Sequence, residues 1–361
     1  MTNSTHKVEV VMVALEPHLN ADSLSIVHVF GGYPCCVRTE DWKDGDLGAY
    51  IPPDSVVDTT RPEFAFLGKH SRIRAKRLRG QASMGLLIKA PPGSKEGDDV
   101  ADYFGVTHYE PPVQGGGSGE DKDKILSLDY RHPVWRLIPR RLRTITNRIY
   151  HRILVLLRAD GCDTAEPPAP APVYDLDSMR RHAKAFVLGE PVFITEKIHG
   201  ENARFCFVNG RMYAGSKNVW RMKTCKNKWW GALKGSPEIR DFCKKNPGVT
   251  VYGEIYGQVQ DLTYGKKGIE VLVFDLLRKG QWVNPLEARA IAPELPWVPT
   301  ISEGYQFNLT EILDLAEGNS LVPSASHIRE GIVVKPLEER NDPRCGRVCL
   351  KVVSVGYLER D

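Results

Sequence analysis

Several features of common protein classes are missing from this sequence. No apolar run approaches the roughly 20 residues that a membrane-spanning helix needs, so we expect no membrane partner. The eight cysteines include no Cys-x-x-Cys pair, which argues against a structural zinc site and favours reduced thiols in an intracellular, cytoplasmic protein. The net charge of +4 is small, so the total charge does not identify a partner.

Charge is nevertheless unevenly distributed along the chain. Eight arginines and no acidic residue occur between Arg131 and Arg158. Apolar residues recur there at three- and four-residue spacing, which predicts one or two helices with an apolar stripe. The basic face of this segment either lies in solvent or meets phosphates.

The length of 361 residues and the apolar content of 42% predict two domains. Residues 1–112 are rich in β-forming runs separated by Gly and Pro turns, which predicts a small β-barrel. Arg72 to Arg79 alternates basic with mostly apolar residues, so this strand is either a charged outer face or a nucleic-acid groove. A Gly- and Ser-rich stretch at 114–124 and a Pro-rich stretch at 166–172 indicate linkers, and the rest of the chain indicates an α+β unit.

The run Thr195 to Asn202, with sequence TEKIHGEN, is the most informative in the chain. Apolar residues on both sides predict a strand, a tight turn at Gly200 and a second strand. A lysine beside a glycine that lets a ligand approach the backbone can act as an amine nucleophile on phosphorus. Lys197 is therefore a candidate nucleophile.

Further charged residues interrupt apolar strands later in the chain. A buried, unpaired charge costs several kcal/mol, so five such cases in one domain suggest a shared anionic ligand with a divalent metal. Carboxylates suit an oxygen-preferring cation, and lysines suit phosphate oxygens. These residues are Glu254, Asp275, Glu330, Lys335 and Lys351, and Lys217 follows a hairpin strand.

This ordered series resembles the motifs of covalent nucleotidyltransferases, the ligases and RNA capping enzymes. The Lys-x-His-Gly-x-Asn form and the Ser216-Lys217-Asn218 element are similar to those of RNA ligases, whereas DNA ligases usually have Lys-x-Asp-Gly-x-Arg. The nearest resemblance is to the RNA ligase family typified by the Deinococcus enzyme. It implies an all-β OB-fold module at 1–112, a linker and basic helical segment at 113–172, and an α+β nucleotidyltransferase domain with antiparallel sheets at 173–361.

The resemblance also implies roles for individual residues. Lys197 would form lysyl-AMP, with Phe274 stacked on adenine. The residues implied to bind the nucleotide are Glu196, Ile198, Asn202, Lys217, Glu254, Phe274, Lys335 and Lys351. Those implied to serve the metal are Glu330, Glu254 and Asp275. Strand parity would place Phe274 and Asp275 on opposite faces, which leaves Leu272 as an alternative neighbour of the base. Relatives often have Lys-x-Lys in the last motif, where this chain has Cys349 before Lys351, and Arg347 is a possible substitute.

The implied activity is ATP-dependent RNA ligation with Mg²⁺ or Mn²⁺, acting on a nick in an RNA or RNA/DNA duplex. The metal and Lys335 or Lys351 would depress the pKa of Lys197. The OB module would contact the nucleic acid rather than ATP. Alternatives are a capping-type guanylyltransferase, a DNA ligase or a non-catalytic nucleic-acid-binding protein. The first two usually carry an OB domain after the last motif, whereas only ten residues follow Lys351 here.

Overall fold

The structure is a computed structural model that describes residues 7–109, 171–223 and 227–360, together with residues 164, 165 and 168. The predicted linker at 114–124 and the predicted basic helices at 131–158 lie outside these residues. In the described part of the chain, no helix is long and apolar enough to cross a membrane.

The amino-terminal part is built almost entirely of short strands. Its elements are β1 (Glu9–Met12), β2 (Glu16–Pro17), β3 (Leu24–Val29), β4 (Tyr33–Arg38), β5 (Leu47–Ile51), β6 (Ser55–Val56), β7 (Ala75–Leu78), β8 (Gln81–Met84), β9 (Leu86–Lys89), α1 (Ala101–Phe104) and β10 (Thr107–His108). They form the sheets β1-β5-β9 and β2-β3-β4 and the pairs β7-β8 and β6-β10. Two apolar clusters, one containing Tyr50 and one containing Phe64, fill the interior. The all-β architecture agrees with the expected OB fold.

The basic run in this part is mostly engaged within the molecule. Arg72 forms an ion pair with Asp54 at 2.7 Å, and its guanidinium lies 3.7 Å from the centroid of the Tyr109 ring. Arg77 lies 3.6 Å from Glu359 near the carboxyl end of the chain. Arg72 and Arg77 are therefore engaged within the molecule, and the choice between a charged outer face and a nucleic-acid groove stays a prediction for the rest of the run.

The carboxyl-terminal part mixes helices with two larger sheets. Its elements are β11 (Thr164–Ala165), β12 (Asp177–Ser178), α2 (Met179–His182), β13 (Pro191–Glu196), β14 (Glu201–Val208), β15 (Arg211–Ser216), β16 (Trp220–Arg221), α3 (Lys228–Gly235), α4 (Pro237–Lys245), β17 (Val249–Gly257), β18 (Ile269–Arg278), β19 (Gln281–Trp282), α5 (Pro285–Ile291), β20 (Thr300–Gln306), α6 (Leu309–Leu315), β21 (Gly331–Pro336), β22 (Asn341–Asp342), β23 (Gly346–Arg347), β24 (Leu350–Val353) and α7 (Val355–Leu358).

Two mainly antiparallel sheets face each other in this part. One has the order β11-β16-β15-β14-β17-β18-β19 and packs against α3, α4 and α5, and the other has the order β12-β24-β21-β13-β20 and packs against α2 and α6. β13 is an interior strand of the second sheet, between β21 and β20, and Val192, Phe193 and Ile194 are all buried because both faces of that strand are covered. The predicted motif residues come from both sheets, so the site forms where the sheets face each other.

Candidate active site

A pocket opens between the two sheets at the end of β13. The predicted nucleotide-binding residues and the predicted nucleophile all line it: Glu196, Lys197, Ile198, Asn202, Lys217, Glu254, Phe274, Lys335 and Lys351. Residues that are up to 155 positions apart in the chain are thus brought to one cavity. Glu330 lies directly behind Lys197, and Asp275 lies deeper between the sheets.

Lys197 is held at the first position after β13. Its backbone N–H donates to the Gly331 carbonyl at 2.9 Å, which ties it to β21. Its Nζ lies 2.7 Å from Oε1 of Glu330, and one fifth of its side chain is exposed. The amine therefore faces the pocket while remaining paired with one carboxylate.

The carboxylates determine the protonation of Lys197. Burial by itself lowers the pKa of this lysine, but Glu330 and then Glu254 raise it, and the net effect is a pKa above the ordinary value. The expected depression of this pKa by the metal together with Lys335 or Lys351 stays a prediction for the ligand-bound site, because without ligands the two carboxylates outweigh burial. Lys197 is an ammonium ion at neutral pH and must lose a proton before it can attack.

Glu196 and Ile198 flank the nucleophile. The Glu196 carboxylate accepts hydrogen bonds from the Ser320 hydroxyl at 2.6 Å and the Leu321 N–H at 2.7 Å. Burial nevertheless raises its pKa. Ile198 is buried in an apolar cluster with Tyr264. These contacts fix both sides of the Lys197 backbone.

Gly200 allows the nucleophile loop to lie against β17. A Cβ atom at this position would clash with the Ile255 carbonyl oxygen and would lie 2.9 Å from Cγ of Glu254.

Burial raises the pKa of Glu254 to about 8; Lys197 opposes this shift, and Glu330 and Glu201 add to it. Burial thus favours the protonated form of Glu254, and a cation nearby would favour loss of its proton.

A β-bulge in β18 overturns the expected parity of Phe274 and Asp275. Tyr252 pairs with Asp275 and Gly253 pairs with Val273, so Phe274 is the extra residue. A bulge re-aims side chains locally. Phe274 lines the pocket, and Asp275 also points between the sheets, where it meets Lys335 of β21. Phe274 is thus an aromatic wall of the pocket, whereas Leu272 is not among the residues that line it.

Asp275 is fully enclosed by partners. Its Oδ2 lies 2.8 Å from Lys335 Nζ and 3.0 Å from Arg347, and it accepts a hydrogen bond from the Tyr174 hydroxyl at 2.6 Å. Despite burial, Arg347 and Lys335 hold the pKa of Asp275 below its usual range. The structure does not bring Asp275 to the pocket with Glu254, and its predicted role as a metal ligand does not fit this position.

The ion pairs of Asp275 also engage Lys335, one of the two lysines that were expected to hold phosphates. Lys335 Nζ also donates to the Phe274 carbonyl at 3.0 Å, so its charge is directed at Asp275. Arg347 pairs with Glu339 and Asp275 and therefore does not replace a lysine at Cys349. Lys351 does line the pocket, and burial followed by repulsion from Lys197 lowers its pKa.

Tyr174 and Asp175 are pocket residues that the sequence did not reveal. The Tyr174 ring centroid lies 4.4 Å from that of Phe274, and Asp175 pairs with Lys217 at 2.9 Å. The segment follows the Pro-rich stretch and carries no motif, so no local signal marks it. It is anchored beside the pocket because the Tyr252 hydroxyl donates to the Pro172 carbonyl at 2.9 Å.

Oxygen atoms near Lys197 fit a divalent cation with a partial set of protein ligands. No group of three or more His, Cys, Asp or Glu side chains that could hold a metal occurs in the described residues. However, Oδ1 of Asn202 is buried without a hydrogen-bond partner, Oε2 of Glu330 has only Nδ1 of His199 at 3.4 Å, and Glu254 lies nearby with a raised pKa. Mg²⁺-like cations take few protein oxygens and complete their shell with water and phosphates.

Comparisons with known proteins agree with this architecture. Residues 190–353 match the family model described as RNA ligase, and residues 7–90 match a model described as an OB-fold domain. Residues 190–353 are thus similar to RNA ligase domains and residues 7–90 to an OB-fold domain, in agreement with the expectation from the motif series. No curated protein matches the sequence.

Solved structures of an RNA ligase from Naegleria gruberi have the same fold. A ligand-free mutant has 22% identity and a TM-score of 0.69, with 98% of each chain covered. A mutant with ATP and Mn has 21% identity, the same TM-score and the same coverage. The structure with pyrophosphate has 22% identity and a TM-score of 0.69, and covers 98% of this chain and 97% of that one. At these identities the likeness establishes the fold.

Proposed function

We propose that this chain is an ATP-dependent RNA ligase that forms lysyl-AMP on Lys197. The AMP then passes to a 5′-phosphate end, and a 3′-hydroxyl displaces it, which seals nicks in RNA-containing duplexes. The observation that carries this proposal is a lysine amine facing an aromatic-walled pocket, paired with Glu330 and close to Glu254 and Lys351. The ATP and Mn in the Naegleria structure support the choice of nucleotide and cation.

The nucleotide would enter with its base on the Phe274 side of the pocket. Base–aromatic stacking is worth about 1–3 kcal/mol. Tyr174 backs Phe274 and limits its movement. Asn202, Lys217 and Lys351 line the region nearer Lys197, where sugar and phosphates would lie.

In the first step, Lys197 Nζ forms a bond to the α-phosphorus and the bond to pyrophosphate breaks. The lysine must first lose a proton to solvent, because the Glu330 carboxylate, with Oε1 at 2.7 Å, stabilises the ammonium form. Lys351 and Lys217 would neutralise charge on the phosphate oxygens, the kind of preorganised electrostatic effect that dominates such reactions. A divalent cation held by Glu254, Glu330 and Asn202 would supply further neutralisation of phosphate charge.

The amino-terminal domain would serve the nucleic acid. Lys76 and Arg79 are exposed on the β7–β8 hairpin, and they remain available to phosphates. We propose the domain limits 1–112, 113–172 and 173–361 on the basis of the strand content of the sequence, with the addition that Thr164 and Ala165 already pair with β16 of the carboxyl-terminal part. Binding should weaken with salt, since each phosphate contact releases counterions.

Labelled-nucleotide transfer tests this function. The purified protein should acquire label from α-labelled ATP but not from GTP, and it should seal a 5′-phosphorylated nick in duplexes whose strands are RNA. Label from GTP would instead indicate a capping-type guanylyltransferase, and no label from either would indicate a binding protein. Nicked duplexes with each strand made of RNA or DNA define the substrate.

A further inference from the structure

The helix α7 lies between the amino-terminal domain and the candidate nucleophile. Val355 and Leu358 pack against the apolar cluster of the OB-fold domain that contains Tyr50. Just beyond the helix, Glu359 lies 3.6 Å from Arg77 of β7. One side of the helix is therefore in contact with the OB-fold domain.

The other side of α7 holds His199, two residues after Lys197. The Tyr357 hydroxyl lies 3.1 Å from Nδ1 of His199. Arg360 contacts Asp261, and Oδ1 of Asp261 lies 2.7 Å from Nε2 of His199. Both ring nitrogens of His199 are thus held by partners, and α7 or its flanking residue contributes to each contact.

The start of α7 is fixed to the strand connection that carries Glu330. The Ser354 N–H donates to the Glu330 carbonyl at 2.9 Å, and the Ser354 hydroxyl donates to the Arg329 carbonyl at 3.0 Å. The same hydroxyl oxygen caps the helix by accepting from the Tyr357 N–H at 3.1 Å. Movement of α7 would therefore shift both neighbours of Lys197, namely His199 and Glu330.

We propose that Tyr357 is a positioning residue that acts through His199 on the Lys197–Glu330 pair, and that the OB-fold domain holds α7 in place for this purpose. This inference rests on the proposed function. Nδ1 of His199 lies 3.4 Å from Oε2 of Glu330, so the orientation of the imidazole sets where the Glu330 carboxylate can lie. The OB-fold domain then contributes to reaction with ATP, which revises the expectation that it serves only the nucleic acid.

Tyr357→Phe tests the first part, because it removes the hydroxyl and keeps the ring. We expect the single-turnover rate constant of lysyl-AMP formation, measured without RNA, to fall roughly three- to tenfold, the range for loss of one buried hydrogen bond. The dissociation constant for ATP and the rate of sealing pre-adenylylated RNA should stay unchanged. Tyr305→Phe is the matched control, since that hydroxyl bonds Glu311 at the surface, and it should match wild type.

The outcomes separate this inference from the proposed function. If the wild-type protein acquired no label from ATP, the proposed function itself would be ruled out. If the wild-type protein is labelled by ATP and Tyr357→Phe is adenylylated at the same rate, the positioning role alone would be overturned. Equal losses in adenylylation and in sealing of pre-adenylylated RNA would also overturn it, because the helix would then support the whole domain.

A charge exchange tests the contribution of the OB-fold domain. Arg77→Glu places two carboxylates together and should lower the adenylylation rate about twofold to threefold, a small change because the pair is partly exposed. Adding Glu359→Arg should restore the wild-type rate. Unchanged adenylylation in Arg77→Glu, or failure of the double variant to recover, would show that the domain contact does not reach Lys197.

Discussion

Asp275→Asn should destabilise the ligase domain strongly while leaving the metal requirement unchanged. The carboxylate is almost completely buried, at 1% exposure, and it compensates Lys335 and Arg347. Replacing it with a neutral amide leaves two buried cations with less compensation. The substitution distinguishes a structural ion from the metal ligand that the motif series suggests.

The magnitude follows from the partners that remain. Removing one member of a buried ion pair costs about 3–5 kcal/mol. Arg347 keeps Glu339, and Lys335 keeps the Phe274 carbonyl, so we expect a value near the lower limit. For a domain of this size, about 3 kcal/mol lowers the melting temperature by roughly 6–12 °C.

Urea and thermal unfolding of the full chain measure the effect. Asp241→Asn, on the exposed side of α4, is the control and should unfold like wild type. Because the pKa of Asp275 is depressed in the fold, its stabilisation is present above the ordinary pKa of Asp and is lost as pH falls through the depressed value. A melting temperature within about 2 °C of wild type, together with a weakened Mn²⁺ requirement, would refute the structural assignment.

Three further outcomes are expected. Phe274→Ala should weaken ATP binding about tenfold to a hundredfold by loss of base stacking. Calorimetry measures the affinity, and Phe66→Ala, at an exposed position, is the control. Equal affinities of the two variants would show that Phe274 does not stack on the base. Gly200→Ala should destabilise the domain by about 1–3 kcal/mol because its Cβ would meet the Ile255 carbonyl. Gly231→Ala is the control and should not destabilise the domain, since the space around Gly231 is open. Equal urea unfolding curves for the two variants would contradict the close approach at Gly200. The rate constant of lysyl-AMP formation should rise between about pH 7 and pH 9, since the pKa of Lys197 is raised and the amine fraction grows about tenfold per unit; a flat profile would show that deprotonation is not limiting.

The sequence was sufficient to predict the ordered motif residues because each is a charge or glycine within an apolar run. Lys197 and Glu254 are recognisable this way, and the structure places both at one pocket. The division into a β-rich part and an α+β part also follows from strand-forming runs and turn residues. These features can be recognised from local sequence patterns, without knowing which residues are in contact.

Other features depend on contacts that no local pattern encodes. The bulge at Phe274 appears only in the register with β17, so simple alternation wrongly placed Phe274 and Asp275 on opposite faces. The raised pKa of Lys197 depends on which charges are nearest in space, and those are carboxylates. Tyr174 and Tyr357 carry no motif, and only the fold brings them beside Phe274 and His199.

The most direct test of the account is the chemical location of the nucleotide on the protein. After reaction with ATP and Mn²⁺, peptide mass spectrometry should find AMP on the peptide containing Lys197, joined by an acid-labile bond. Lys197→Ala should carry no AMP and should still seal pre-adenylylated RNA, since that step does not need the amine. AMP on another residue, or normal labelling of Lys197→Ala, would contradict the account.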